Sequence, residues 1–205
     1  MKLSPLFALF VVLPFLWSAS ARSQDTIIEP STEKAFPRTV TFTHDGAAYS
    51  LSATGTTVRK KLFIKVYAVV HYLEGTLQGS PEARLQEVLQ DGPAKQLTLD
   101  FARDVGQTQI QDAFRDGFTA NATDDEFASI EPKVQRFLSF FDREITENSQ
   151  LTFRWLPGGV VLTEAYGEWK EPLTDPTFAR VLWTIWFGED SIVDPEELVS
   201  IPAAK

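Results

Sequence analysis

Residues 55–74 read GTTVRKKLFIKVYAVVHYLE. Arg59, Lys60, Lys61 and Lys65 put four cations within seven residues of a chain whose formal net charge is −9. Local charge that opposes the overall sign asks for a reason. Taken as one extended strand over residues 59–71, the side chains alternate, so Arg59, Lys61, Phe63, Lys65, Tyr67 and His71 share one face. Leu62, Ile64, Val66, Ala68 and Val70 share the other. Residues 62–73 are rich in Val, Ile, Tyr and Phe, with apolar positions on both faces, as in a central strand covered on both sides. A guanidinium and a phenol then look into one apolar space. Arg grips a carboxylate with two parallel hydrogen bonds and a Tyr hydroxyl adds a third donor, which suits a ligand with an acid head and a greasy tail. The plainer alternative is a solvated strand end carrying the cations, with Tyr67 as a core aromatic.

Outward from this stretch, composition narrows the choices. The chain has 205 residues, 43% of them hydrophobic, with 16 Phe and 5 Trp, enough for one well-filled domain. Its acidity repels phosphate backbones, so nucleic acid is not an expected partner. With no Cys and two His, thiolate nucleophiles, disulfides and the usual transition-metal sites fall away, and no metal or cofactor is expected. There is no Gly-x-Ser-x-Gly elbow, Gly-rich phosphate loop or His-Glu-x-x-His pair, and no catalytic residue is assigned. His44 sits beside a turn and His71 in a buried-looking strand, where a hydrogen-bonded core histidine is the simple reading.

Residues 1–21 have Lys2, an apolar run from Leu6 to Trp17 and then Ala19-Ser20-Ala21, the pattern of a signal peptide cleaved after Ala21. The apolar run, broken by Pro14, is short of the ~20 residues that span a bilayer, so no stable membrane span is expected after cleavage. The expected location is outside the cytosol: periplasmic in a Gram-negative host, otherwise secreted. Residues 22–38, polar and with Pro30 and Pro37, read as a loose lead-in, and residues 39–205 as the domain.

Within the domain, residues 39–43 and 48–53 alternate around Asp45-Gly46, a hairpin turn signal. Residues 97–101, 151–156 and 160–166 are further strands. Helix starts are marked by Ser80-Pro81, by a Thr108-x-x-Gln111 capping box, and by Asp175-Pro176 and Asp194-Pro195. Phe127, Ile130, Val134, Phe137, Leu138 and Phe141 recur at helical spacing, as do Phe178, Val181, Leu182, Ile185 and Trp186. Hairpins with interspersed helices and no regular βαβ alternation give an α+β class: an antiparallel sheet with helices gathered on one face.

The stretch from Gly55 also resembles the signature of the chalcone isomerase fold: a small-residue turn, Gly-Val-Arg or a near variant, then Phe-x-Lys-Val-Tyr-Ala-x-x-x-Tyr-Leu. Here these are Gly55, Val58-Arg59 and residues 63–73, FIKVYAVVHYL. Residues 99–105 (LDFARDV), 113–117 (AFRDG), Leu156-Pro157-Gly158-Gly159 and 178–188 (FARVLWTIWFG) look like the exported bacterial chalcone isomerase-like proteins. The resemblance implies a large antiparallel sheet layered on one face by helices, with a ligand cleft between. In the plant isomerases an Arg stabilises the enolate as a phenolate adds to an enone, while Thr and Tyr hydroxyls orient the reacting groups. Arg59 matches that Arg, but the Thr position falls on Tyr67 and the Tyr region near Gln109. The fatty-acid-binding members, which pair the Arg with a Tyr on that strand, resemble this chain better.

The expectation is an exported, non-catalytic binder of a fatty acid or similar amphipathic carboxylate, held by Arg59 and Tyr67. One alternative is an isomerase of the intramolecular-lyase type acting on a conjugated substrate, with Gln109 or Thr108 as its second polar group. Another is an envelope scaffold whose cleft is closed by core side chains, with Trp183 and Trp186 packed on the sheet.

Overall fold

At Asp45-Gly46 the backbone takes φ of 47° and 79°, the paired left-handed conformation of a tight hairpin turn. The turn joins β3 to β4 in a computed structural model that describes residues 25–200. The expected signal peptide lies outside those residues. Ahead of the turn come β1 (Thr26–Ile28), β2 (Ala35–Pro37) and β3 (Thr39–His44); after it, β4 (Ala47–Lys61) and β5 (Ile64–Leu73). Then follow α1 (Pro81–Val88), β6 (Lys95–Phe101), α2 (Gln107–Asn121), α3 (Asp124–Leu138), β7 (Gln150–Leu156) and β8 (Val160–Ala165). Next come β9 (Glu168–Trp169), β10 (Leu173–Thr174), α4 (Pro176–Phe187) and a 3-10 turn, Glu197–Val199.

Strands β3 to β8 pair in chain order, each antiparallel to the next, and β9 and β10 both add to β8, making eight strands in one sheet. The α+β class, with helices on one face, is observed. Val69, Leu97, Leu99, Phe101, Phe153 and Trp155 share a core with residues of all four helices, among them Phe114, Phe137 and Trp186. Ala68, Val70, Tyr72 and Leu162 face the other way. There the sheet is covered by the small β1–β2 pair, whose Ile27 and Phe36 are buried. From residue 25 onward the expected loose lead-in is therefore ordered structure, because Ile27 and Phe36, opposite each other in the β1–β2 pair, bury their side chains against the back of β5.

The central helix is α4. Between Phe178 and Phe187 every residue but Arg180 is buried, the pattern of a helix surrounded by protein. Asp175 starts it as expected, its Oδ1 accepting from the N–H groups of Thr177 (2.8 Å) and Phe178 (3.0 Å). Thr123 and Glu126 form a reciprocal capping box on α3. Two expected starts are corrected. Helix α2 begins at Gln107, and the Gly106 N–H donates to Gln109 Oε1 (3.2 Å); Gln111 instead donates to the carbonyls of Leu138 (3.2 Å) and Phe141 (2.7 Å), capping the end of α3. Asp194 accepts from the Glu196 N–H (3.0 Å) and leads only into the 3-10 turn, because the chain lies flat on β4 there. Gly55 permits this approach: a Cβ on it would stand 2.1 Å from the Glu197 carbonyl oxygen.

Candidate functional site

Residues 59–71 are not one strand. The chain reverses at Leu62-Phe63, with Leu62 at φ 59°, so Arg59 ends β4 and Tyr67 lies on β5. The expected continuous face is lost, but the hairpin restores the pair across the ladder: Arg59 stands opposite Tyr67, next to a register shift between Arg59 and Lys60. Directly opposed residues project to the same side of a sheet, here the helix side.

Tyr67 is 5% exposed. Its ring packs on Phe101 at 5.4 Å between centroids, and its hydroxyl accepts from Trp186 Nε1 at 3.1 Å. Burial pushes the phenol up to about 12, against smaller opposing contributions from the Trp186 hydrogen bond and the Arg59 charge. It therefore stays protonated at neutral pH, and among the described residues its O–H proton has no acceptor. Arg59 is half-buried. Its Nη1 donates to the carbonyls of Ile192 (2.8 Å) and Lys60 (3.0 Å), and no carboxylate of the described residues pairs with it.

Ile192 belongs to a strap, residues 188–199, that runs from α4 back over β4. Ser191 Oγ donates to the Trp186 carbonyl (2.7 Å), and the Ile192 N–H to the Ile185 carbonyl (3.1 Å). Thr57 donates to the Glu197 carboxylate, and Thr54 to the Leu198 carbonyl (2.7 Å). Beneath the strap, between sheet and helices, lies an aromatic cluster. Phe114 meets Phe137 and Phe141 at 5.0 Å and Phe153 at 5.7 Å, and Phe153 meets Trp186 at 5.8 Å. Trp183 and Trp186 are fully buried. An open groove of about 600 Å³ lies elsewhere, bordered by Leu85, Asn121, Glu126 and Phe187; neither Arg59 nor Tyr67 lines it.

His71 is a core residue. Since Thr54 gives its one hydroxyl proton to Leu198, the 2.6 Å contact between Thr54 Oγ1 and His71 Nδ1 makes Nδ1 the donor and leaves Nε2 bare and buried. Burial, helped by the Lys95 charge, lowers the imidazole to about 3, so it is neutral. Lys95 escaped notice in the sequence. It is buried, its ammonium 3.8 Å from the Trp155 ring and bonded to the Val88 carbonyl (3.0 Å), and burial lowers it to about 8. It closes the end of α1. Thr108 and Gln109 are exposed on the first turn of α2, with the Gln109 side chain engaged at Gly106. Among the described residues no cluster of His, Asp and Glu is arranged to hold a metal ion.

A family model described as chalcone isomerase-like matches residues 32–195. The chain belongs to the chalcone isomerase-like family. Its fold is also that of a crystal structure of an Arabidopsis thaliana fatty-acid binding protein, with a TM-score of 0.70 at 16% sequence identity, over 85% of this chain and 96% of that one. No curated protein matches the sequence. Membership in the chalcone isomerase-like family accounts for the antiparallel sheet and the helical layer on one face.

Proposed function

We propose that the protein is an exported, non-catalytic binder of a fatty acid or similar amphipathic carboxylate, taken up between sheet and helices. The observation that carries this reading is the donor surplus at Arg59 and Tyr67. Among the described residues, a guanidinium without a carboxylate and a protonated phenol without an acceptor stand opposite each other on the inward face of the sheet. A ligand carboxylate would take the place of the Ile192 carbonyl on Arg59 and accept from Tyr67. Its tail requires the strap and the Trp186–Phe114 contact to give way. The Arabidopsis neighbour, named for fatty-acid binding, supports the class of ligand.

The complete burial of Trp183 and Trp186 favours a second reading, an envelope scaffold with a closed cleft. Plant-type ring closure has less support, since Thr108 and Gln109 face solvent on α2. Native mass spectrometry of gently purified protein separates the first two: a binder carries an acyl chain. Arg59→Ala should then lose a charge-assisted pair of about 1.5–3 kcal/mol, or roughly ten- to a hundredfold in affinity for laurate in solution. An Ala variant that binds laurate as wild type does would remove the reading.

A further inference from the structure

The tip of the β4–β5 hairpin is apolar and bare. Leu62, Phe63 and Ile64 are 86%, 98% and 50% exposed. Lys61 pairs with Ile64, so the whole turn is Leu62-Phe63, and Leu62 holds a left-handed φ that Asn or Gly would adopt at less cost. Neither local conformation nor packing within the described residues explains two large apolar side chains there. Around them sit the four cations. Lys60 and Lys61 are exposed and in no ion pair among the described residues, while Arg59 and Lys65 turn to the carbonyls of Ile192 and Ser31. The rest of the molecule is acidic.

We propose that this hairpin docks the protein onto an anionic lipid surface, Phe63 and Leu62 entering the boundary of headgroups and acyl chains while Lys60 and Lys61 meet lipid phosphates. Three side chains at a turn are far too small a patch for a stable protein interface, which needs about 800 Å² from each partner, whereas a bilayer accepts a few apolar side chains beside cations. A second copy would bring like-charged tips together. The proposal stands apart from the fatty-acid reading. Where both hold, Arg59 lies three residues from the turn, about 10 Å along the strand at ~3.3 Å each, so the acid-binding pair sits just above the surface that fatty acids leave.

The test is co-sedimentation with vesicles of phosphatidylcholine alone and of phosphatidylcholine mixed with phosphatidylglycerol, comparing wild type with Phe63→Ser and with Lys60→Gln/Lys61→Gln. Any contribution of residues 1–24 is common to all three. Wild type should bind the mixed vesicles, more weakly as salt rises, and each lost cation should cost about fivefold. Phe63→Ser should bind less at every salt concentration. Because the chain has no Cys, a polarity-sensitive dye on Phe63→Cys reports the tip alone, and its emission should shift to the blue on mixed vesicles. Wild type failing to bind at low salt, Phe63→Ser binding equally, or equal binding to neutral vesicles would overturn the proposal. So would a wild-type dimer abolished by Phe63→Ser, which would assign the tip to self-association. None of these outcomes touches laurate binding in solution.

Discussion

Replacing Tyr67 by Phe removes one oxygen and reports on both sides of it. Among the described residues the oxygen is the only partner of Trp186 Nε1, at 3.1 Å, and both side chains are buried. Its loss leaves an indole N–H without an acceptor in a dry core, which costs about 1–3 kcal/mol. For a domain of this size, at about 2–4 °C per kcal/mol, the Tm should fall by roughly 2–12 °C. The same oxygen carries the proton assigned to the ligand, so affinity for laurate should also fall. Thermal unfolding followed by near-UV circular dichroism measures the first effect and isothermal titration the second. A double-mutant cycle with Trp186→Phe isolates the contact, and its coupling should fall within about 0.5–3 kcal/mol. A Tyr67→Phe protein that melts with wild type and shows no coupling would refute the buried hydrogen bond. One that melts early but binds laurate fully would keep the contact and take the phenol out of the binding site.

Two further outcomes follow from the strap and the buried imidazole. His71 titrates near 3 in the fold and near 6.5 unfolded, so as pH falls below 6.5 the unfolded chain takes up a proton that the fold refuses. Stability should drop by up to about 1.4 kcal/mol per pH unit between about pH 6 and pH 5, read from urea midpoints; the same slope in His71→Gln would show that the ring is not held neutral. Gly55→Ala should push the 3-10 turn off β4 and break the bonds from Thr54 and Thr57, at about 1 kcal/mol each. Faster hydrogen exchange at the Val199 amide would reveal it, and unchanged exchange would contradict the packing.

What could be read from the residues depended on whether local chemistry carried the structure. Asp45-Gly46 announces its turn because both positions need a backbone that those residues tolerate. Leu62-Phe63 turns with side chains that say strand, so the alternation runs through it unbroken and one element appears where there are two. Alternation along a single strand put Arg59 and Tyr67 on one face, and the two still share a face because the hairpin sets them opposite each other across the ladder. Asp175-Pro176 and Asp194-Pro195 look alike in sequence. Only the first leads into an apolar stripe of helical length, and the second is held flat by its contact with Gly55. Periodicity marked Phe114's neighbours as inward-facing without saying whether their rings fill the space, since filling depends on volumes contributed by four helices and the sheet together. Lys95 was hidden by its type: a lysine is buried only where carbonyls and an indole face happen to converge.

The strap has a consequence for the order in which the molecule is made. Thr54, Thr57 and Arg59 find their partners 144, 140 and 133 positions further along the chain. The β3–β4, β4–β5 and β7–β8 hairpins close over two or three residues and form early, whereas these clasps cannot form until residues 192–198 have been synthesised. Until then the edge of β4 and the side of α4 stay uncovered. Closure is thus a single late event at one seam, and a chain that stopped at Phe187 would keep its sheet but never latch.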